Sequence, residues 1–322
     1  MLKPLKIVFL GSGPIAIPIL RALAQSPGTD LAAVISQLDR PAGRKRILTP
    51  TPLAAAALEL ELDVIRTADV NTPEFIDCLT AMAPDLLCVV SFGQILKAPL
   101  LAVPRVCCVN VHASLLPRYR GASPIVQAIL NSDEESGVCF MQMERGLDSG
   151  PVFRELRMKL EQNEYADSLE NTLGELAAKN AVQILRDIAE KKIEPLPQDP
   201  AAVTICRKIT KRDGVIDWNL PAKRIEAMTR AYFPWPGASA GFRTSSGKES
   251  AFTICSARIV DGYDIAPAQC AELPGRLVIG CGDGRALEII ELIPSGGKRM
   301  SASAFRNGMR GELPEFITEA EI

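Results

Sequence analysis

Short apolar runs alternate along the first half of the chain with longer segments in which apolar residues recur every three to four positions. Residues 5–10 (Leu-Lys-Ile-Val-Phe-Leu) form a nearly continuous apolar run, closed by Gly11-Ser12-Gly13-Pro14 and followed by a helix-like stretch to Ala24. Residues 31–35, 63–65, 85–90 and 106–111 predict further strands, and 53–61 and 72–82 predict helices between them. Strand alternating with helix predicts a mostly parallel, Rossmann-like α/β sheet with right-handed crossovers and helices on both faces. In such a sheet a ligand sits beyond the carboxyl ends of the strands, so residues just past 111 are of first interest.

The period changes downstream. Residues 137–143 and 152–160 read as strands around a loop at 144–151, and a long helix starts at Asp167. Its apolar face runs through Leu169, Leu173, Leu176, Val182, Ile184, Leu185 and Ile188. Pro195, Pro197 and Pro200 then forbid helix and predict an extended surface linker. Beyond it, 222–231 reads as helix, and 251–260, 276–279 and 286–293 are β-rich segments separated by Gly, Asp and Pro turns. A small OB-like β-barrel is the economical reading. The expected organisation is a catalytic domain at 1–192, a linker at 193–208 and a barrel at 209–322. Trp218, Trp235 and Tyr232-Phe233-Pro234 read as packing aromatics.

Composition adds exclusions. With 322 residues, 47% hydrophobic and 23% charged, the chain suits two globular domains. It has no long apolar stretch and no signal-peptide pattern, so a cytoplasmic protein without membrane contact is expected. Nine cysteines without C-x-x-C spacing, beside one histidine, argue against a metal site and for reduced, buried thiols. The net charge of -2 excludes wholesale attraction to nucleic acid. Basic residues nevertheless cluster at Arg40, Arg44, Lys45 and Arg46, at Arg118 and Arg120, at Arg207, Lys208, Lys211 and Arg212, and at Lys298 and Arg299.

The single histidine, His112, is the one side chain whose ordinary titration suits proton transfer near neutral pH. Alone it is as readily a satisfied structural residue. Asn110 lies two positions earlier on the same strand and so shares its face, and Asp148 lies in Gly146-Leu147-Asp148-Ser149-Gly150. A carboxamide donates to a developing oxyanion, an imidazole moves a proton, and a carboxylate orients the ring and pairs with its charged form. No protein nucleophile accompanies them, which suits attack by the substrate's own nucleophile on an acyl carbonyl. A dinucleotide site at Gly11-x-Gly13-x-x-Ala16 is disfavoured. Pro14 removes an amide, Pro18 interrupts the first turns, and Ser36-Gln37 stands where an acid should end the second strand.

The run N-V-H-A-S-L-L-P-R-Y-R-G-A-S-P-I from Asn110, with G-L-D-S-G around Asp148, resembles the signature of the folate-dependent formyltransferases. The segments Q-L-D-R-P-A-G-R from Gln37, Asp217-Trp218, R-A-Y-F-P-W-P from Arg230 and G-K-R-M-S-A from Gly297 are similar to those members that act on charged initiator tRNA. The resemblance implies transfer of the formyl group of 10-formyltetrahydrofolate to the α-amino group of methionyl initiator tRNA, without a metal and by a monomer. On this sequence, Asn110 would stabilise the oxyanion, His112 would act as acid and base, and Asp148 would position His112. The folate would meet Ser114, Leu115, Leu116 and Pro117, with Phe92, Gly93, Ile95 and Leu96 lining an apolar pocket. The tRNA would meet Arg40, Arg44, Lys45, Arg46, Lys208, Lys298 and Arg299. Glycinamide ribonucleotide transformylases lack a comparable second domain, and sugar-amine formyltransferases have no use for the basic loop.

Overall fold

In the computed structural model, which describes residues 3–43, 46–244, 247–309 and 314–317, the chain opens with β1 (Leu5–Gly11), α1 (Ala16–Gln25) and β2 (Thr29–Gln37). A hairpin of β3 (Arg40–Ala42) and β4 (Ile47–Thr49) comes next. The chain continues through α2 (Pro52–Glu59), β5 (Val64–Thr67), α3 (Pro73–Met82), β6 (Leu86–Val90), α4 (Ala98–Leu101) and β7 (Cys107–His112). After these come β8 (Arg120–Gly121), α5 (Pro124–Leu130), β9 (Glu135–Gln142), β10 (Val152–Lys159) and α6 (Ala166–Ala189). The rest comprises β11 (Ile205–Cys206), α7 (Ala222–Ala231), β12 (Ala238–Arg243), β13 (Glu249–Val260), β14 (Leu277–Gly280), β15 (Ala286–Pro294), β16 (Met300–Ser301), α8 (Ala302–Gly308) and β17 (Glu315–Phe316). No helix among the described residues is long and apolar enough to cross a membrane.

Local signals set the helix starts. Thr51 accepts from the Ala54 amide ahead of Pro52, and Thr72 accepts from the Phe75 amide ahead of Pro73, so α2 and α3 each begin with a capped first turn and a proline.

Two compact units result. The first comprises Met1–Pro124, Glu135–Lys159 and Leu169–Cys206. Its seven-stranded sheet has the order β10-β9-β7-β6-β1-β2-β5. From β5 to β7 every pairing is parallel, the mostly parallel sheet that the alternation predicts, whereas β9 runs antiparallel to β7 and β10 antiparallel to β9. The second of these reversals has a simple cause: residues 143–151 are too short a connection for a helical crossover, so β9 and β10 form a hairpin. Val8, Leu10, Leu87, Val89 and Cys108 project from one face into a core completed by Val70, Leu79, Phe92, Leu96 and Leu100. Each such fully buried aliphatic contributes about 1.5–3 kcal/mol.

The second unit comprises Ile125–Glu134, Leu160–Ser168 and Arg207–Ile322. Its strands run β14-β15-β13-β12-β17, with β16 on β15, in one antiparallel sheet that curls as a half-barrel. Phe242, Phe252, Phe305 and Phe316 form its aromatic centre with ring centroids 5.3–6.4 Å apart. Trp218 is fully buried and packs on Phe316 at 5.3 Å. Trp235, expected to pack, is instead 60% exposed.

Candidate active site

β7 carries the two residues that strand periodicity places on one face. It is held between β6, with Val89 opposite Asn110, and β9, with Met141 opposite Asn110 and Cys139 opposite His112. His112 is the last residue of the strand and is buried. Asp148 arrives from the β9–β10 connection in a left-handed conformation, φ +46°, which an aspartate tolerates better than most residues.

The three side chains meet. Asn110 Nδ2 donates to Asp148 Oδ1 at 3.3 Å, and His112 Nδ1 stands 3.7 Å from Asp148 Oδ2, an ion-pair distance when the ring is charged. The Gly121 amide donates to the same Oδ2 at 2.8 Å. His112 Nε2 lies 3.0 Å from the Tyr119 carbonyl. A carbonyl only accepts, so Nε2 carries the hydrogen of that contact and Nδ1 is the nitrogen turned toward the carboxylate. Asn110 has one amide hydrogen committed to Asp148 and, among the described residues, no acceptor for the other. The cluster thus presents a free carboxamide N–H, an imidazole nitrogen and a fixed negative charge in one small volume.

The supports of this cluster come from a segment that reads as linker in the sequence. Residues 205–206 pair in parallel with 120–121 as β11 on β8, and the Thr204 hydroxyl accepts from the Tyr119 amide at 2.8 Å. Gln198 Nε2 donates to the Asp148 and Gly150 carbonyls at 2.8 and 2.7 Å. Gln198 Oε1 accepts from Arg120 Nε and Nη2 at 3.0 and 2.8 Å. The buried Cys206 thiol lies 3.4 Å from the carbonyls of Tyr119 and Arg120. Burial pushes that thiol up, the Ser123 amide works against this, and Asp148 adds to it. Gly121, at φ +115°, has no room for a Cβ, which would collide with the Cys206 carbonyl. Proline content rules out an α-helix in this stretch, where Pro200–Ala202 instead form one 3-10 turn capped by Asp199, but it carries no trace of these contacts.

The remaining expected residues divide. Phe92 and Leu96 are core residues, 2% and 3% exposed, and Ile95 between them is 76% exposed while Gly93 is exposed. Ser114 donates to the Arg118 carbonyl at 2.6 Å, Leu115 is packed so closely over Gly137 that a Cβ there would meet it at 2.5 Å, and Leu116 packs with Cys139, Met141 and Val152. The Pro117 carbonyl accepts from the Thr204 amide at 3.2 Å. Arg40 is exposed and donates to Gln37, and Arg46 is exposed in the turn of the hairpin with φ +49°. Arg44 and Lys45 lie outside the described residues. Lys208 and Lys298 are exposed, whereas Arg299 is paired with Glu291.

At the glycine turn after β1, the Gly13 amide donates to Ser91 and the Ile15 amide to Glu170 Oε1 at 3.4 Å. A carboxylate therefore occupies the start of α1, and a pyrophosphate there would meet like charge.

Comparison with known proteins shows the family. A family described as "Formyl transferase" matches residues 5–185, and one described as "Formyl transferase, C-terminal domain" matches 208–310. A methionyl-tRNA formyltransferase of Acidithiobacillus ferrooxidans is 39% identical over 319 residues, covering 98% of this chain and 100% of its own. One from Methylococcus capsulatus is 40% identical over 304 residues, 94% and 96% of the two chains. Among solved structures, an N-formyltransferase from Helicobacter canadensis, in complex with folinic acid and dTDP-3-aminofucose, shares the fold. It superposes with a TM-score of 0.61 at 18% identity, covering 88% of this chain and 98% of that one. With both halves of the chain matched and identity sustained end to end, the protein is an enzyme belonging to the formyl transferase family.

Proposed function

We propose that this chain transfers the formyl group of 10-formyltetrahydrofolate to the α-amino group of methionyl initiator tRNA, in the cytoplasm, for translation initiation. The names of the curated relatives support methionyl-tRNA as the acceptor, and the folate ligands named for solved proteins of the same fold support the donor. All nine cysteines are unpaired, which suits a reducing compartment. The observation that carries the chemistry is the Asp148 carboxylate lying between Asn110 and His112.

The amine nitrogen attacks the formyl carbon, and the carbonyl oxygen becomes an oxyanion. The uncommitted amide hydrogen of Asn110 stabilises it. His112 Nδ1 takes the proton released by the amine and delivers one to N10 of the departing folate as the carbon–N10 bond breaks. Asp148 neutralises the imidazolium between these steps. Ile95, Leu115 and Pro117 offer apolar surface to the donor's ring system, and buried Phe92 and Leu96 anchor the segment that carries Ile95. Arg40, Arg46, Lys208 and Lys298 are available to phosphates.

The test is an assay with 10-formyltetrahydrofolate and, in parallel, charged initiator tRNA, charged elongator tRNA and an amino-sugar nucleotide. Formylation of the initiator is expected, with His112→Ala lowering turnover about a hundredfold or more while tRNA binding persists. Preference for the amino sugar, or near-normal turnover in the variant, overturns the reading.

A further inference from the structure

We propose that Gln198 is a positioning residue: its carboxamide clamps the turn carrying Asp148 to the segment 119–121 and thereby sets the approach of Asp148 to His112. Only the kinetic arm of the test below rests on the formyl-transfer reading.

Gln198 reaches two backbone carbonyls of the turn, those of Asp148 and Gly150, on either side of Ser149. Both amide hydrogens are spent there, and both lone pairs of Oε1 receive the Arg120 guanidinium. One orientation of the amide satisfies this environment. Turned over, its oxygen would face two carbonyl oxygens and its NH2 group a guanidinium.

The contacts close into a ring. Arg120 sits between Tyr119, whose carbonyl faces His112 Nε2, and Gly121, whose amide holds Asp148 Oδ2. Gln198 ties that same segment to the backbone of Asp148. A loss at Gln198 therefore frees the turn while both catalytic side chains remain, so the separation of Asp148 from His112 is what changes. Displacements of about 1 Å in such an arrangement cost up to a hundredfold in rate.

Because the chain holds a single histidine, its Cε1–H resonance is the one imidazole signal of the intact protein and reports on His112 without assignment. Gln198→Glu keeps the shape and the Arg120 contact but removes both donations; Gln198→Ala removes everything. The expected result in both is a shifted histidine resonance with an altered pH titration, and turnover lowered roughly tenfold or more at a folate KM within about twofold of the parent. Circular dichroism is expected to stay native. An unmoved histidine signal in folded Gln198→Glu overturns the proposal, whether turnover falls or not. So does unfolding of both variants, since a clamp on one turn does not hold a sheet together. If the parent enzyme formylates none of the acceptors, the functional reading fails while the histidine signal still decides the role of Gln198.

Discussion

Each oxygen of Asp148 has its own donor, Asn110 Nδ2 on Oδ1 and the Gly121 amide on Oδ2, with His112 beyond. An asparagine at this position keeps the outline but must turn its NH2 group toward one of those donors. Asp148→Asn thus removes the charge and strains the local bonds together. Turnover is expected to fall about a hundredfold or more, measured under saturating donor and acceptor. Wild-type turnover in that variant would remove Asp148 from the mechanism. Asn110 and His112 were readable in the chain because strand alternation pairs residues two apart and because no second histidine competes. Gln198 was not. Its partners lie 48 and 50 residues away in the β9–β10 turn, and a polar residue among prolines looks like solvent-facing linker.

At the scale of elements, the parallel strands and their helices follow closely from apolar periodicity, proline and threonine caps, since burial and capping are local in sequence. Less was readable where pairing decides. The strand β4 is exposed along its length and the unpredicted β12 reads Ala-Ser-Ala-Gly-Phe-Arg, with little β-branched content. A charged cross-strand pair illustrates what pairing supplies. In β15, Glu288 is buried, opposite Arg258 of β13, and it also receives Arg276. The Arg276 guanidinium first, and then Arg258 against the cost of burial, hold its carboxyl down at about 2. A folded-state value below the unfolded one means a stabilisation fully present above the ordinary range near 4.5 and lost as pH falls toward 2. The melting temperature of the wild type is expected to drop across that window. Glu288→Gln should cost about 1.5–3 kcal/mol at neutral pH and flatten the drop, as read by thermal denaturation from pH 7 to pH 2. An unchanged acid profile would assign the acid lability elsewhere.

For the whole molecule, a net charge of -2 leaves phosphate binding to local groups. Exposure and pairing sort these groups. Among the described residues Lys208 and Lys298 have no ion-pair partner, whereas Arg299 is committed to Glu291 and Arg207 to Asp213. Affinity for the proposed tRNA acceptor should therefore fall linearly on a log–log plot against salt. Lys298→Ala should reduce that slope by about one, whereas Arg299→Ala should leave it nearly as it was. Equal slopes for both variants and the parent would separate these residues from the acceptor.

The stretch 193–206, with its strand on β8 and its glutamine on the Asp148 turn, has a consequence for how this polypeptide can be recombined. A swap of the C-terminal half at residue 192, where the apolar pattern invites a cut, would exchange the brace of the reaction centre along with the module behind it. Hybrids joined after Cys206 should keep the proposed site and these supports on one parental chain.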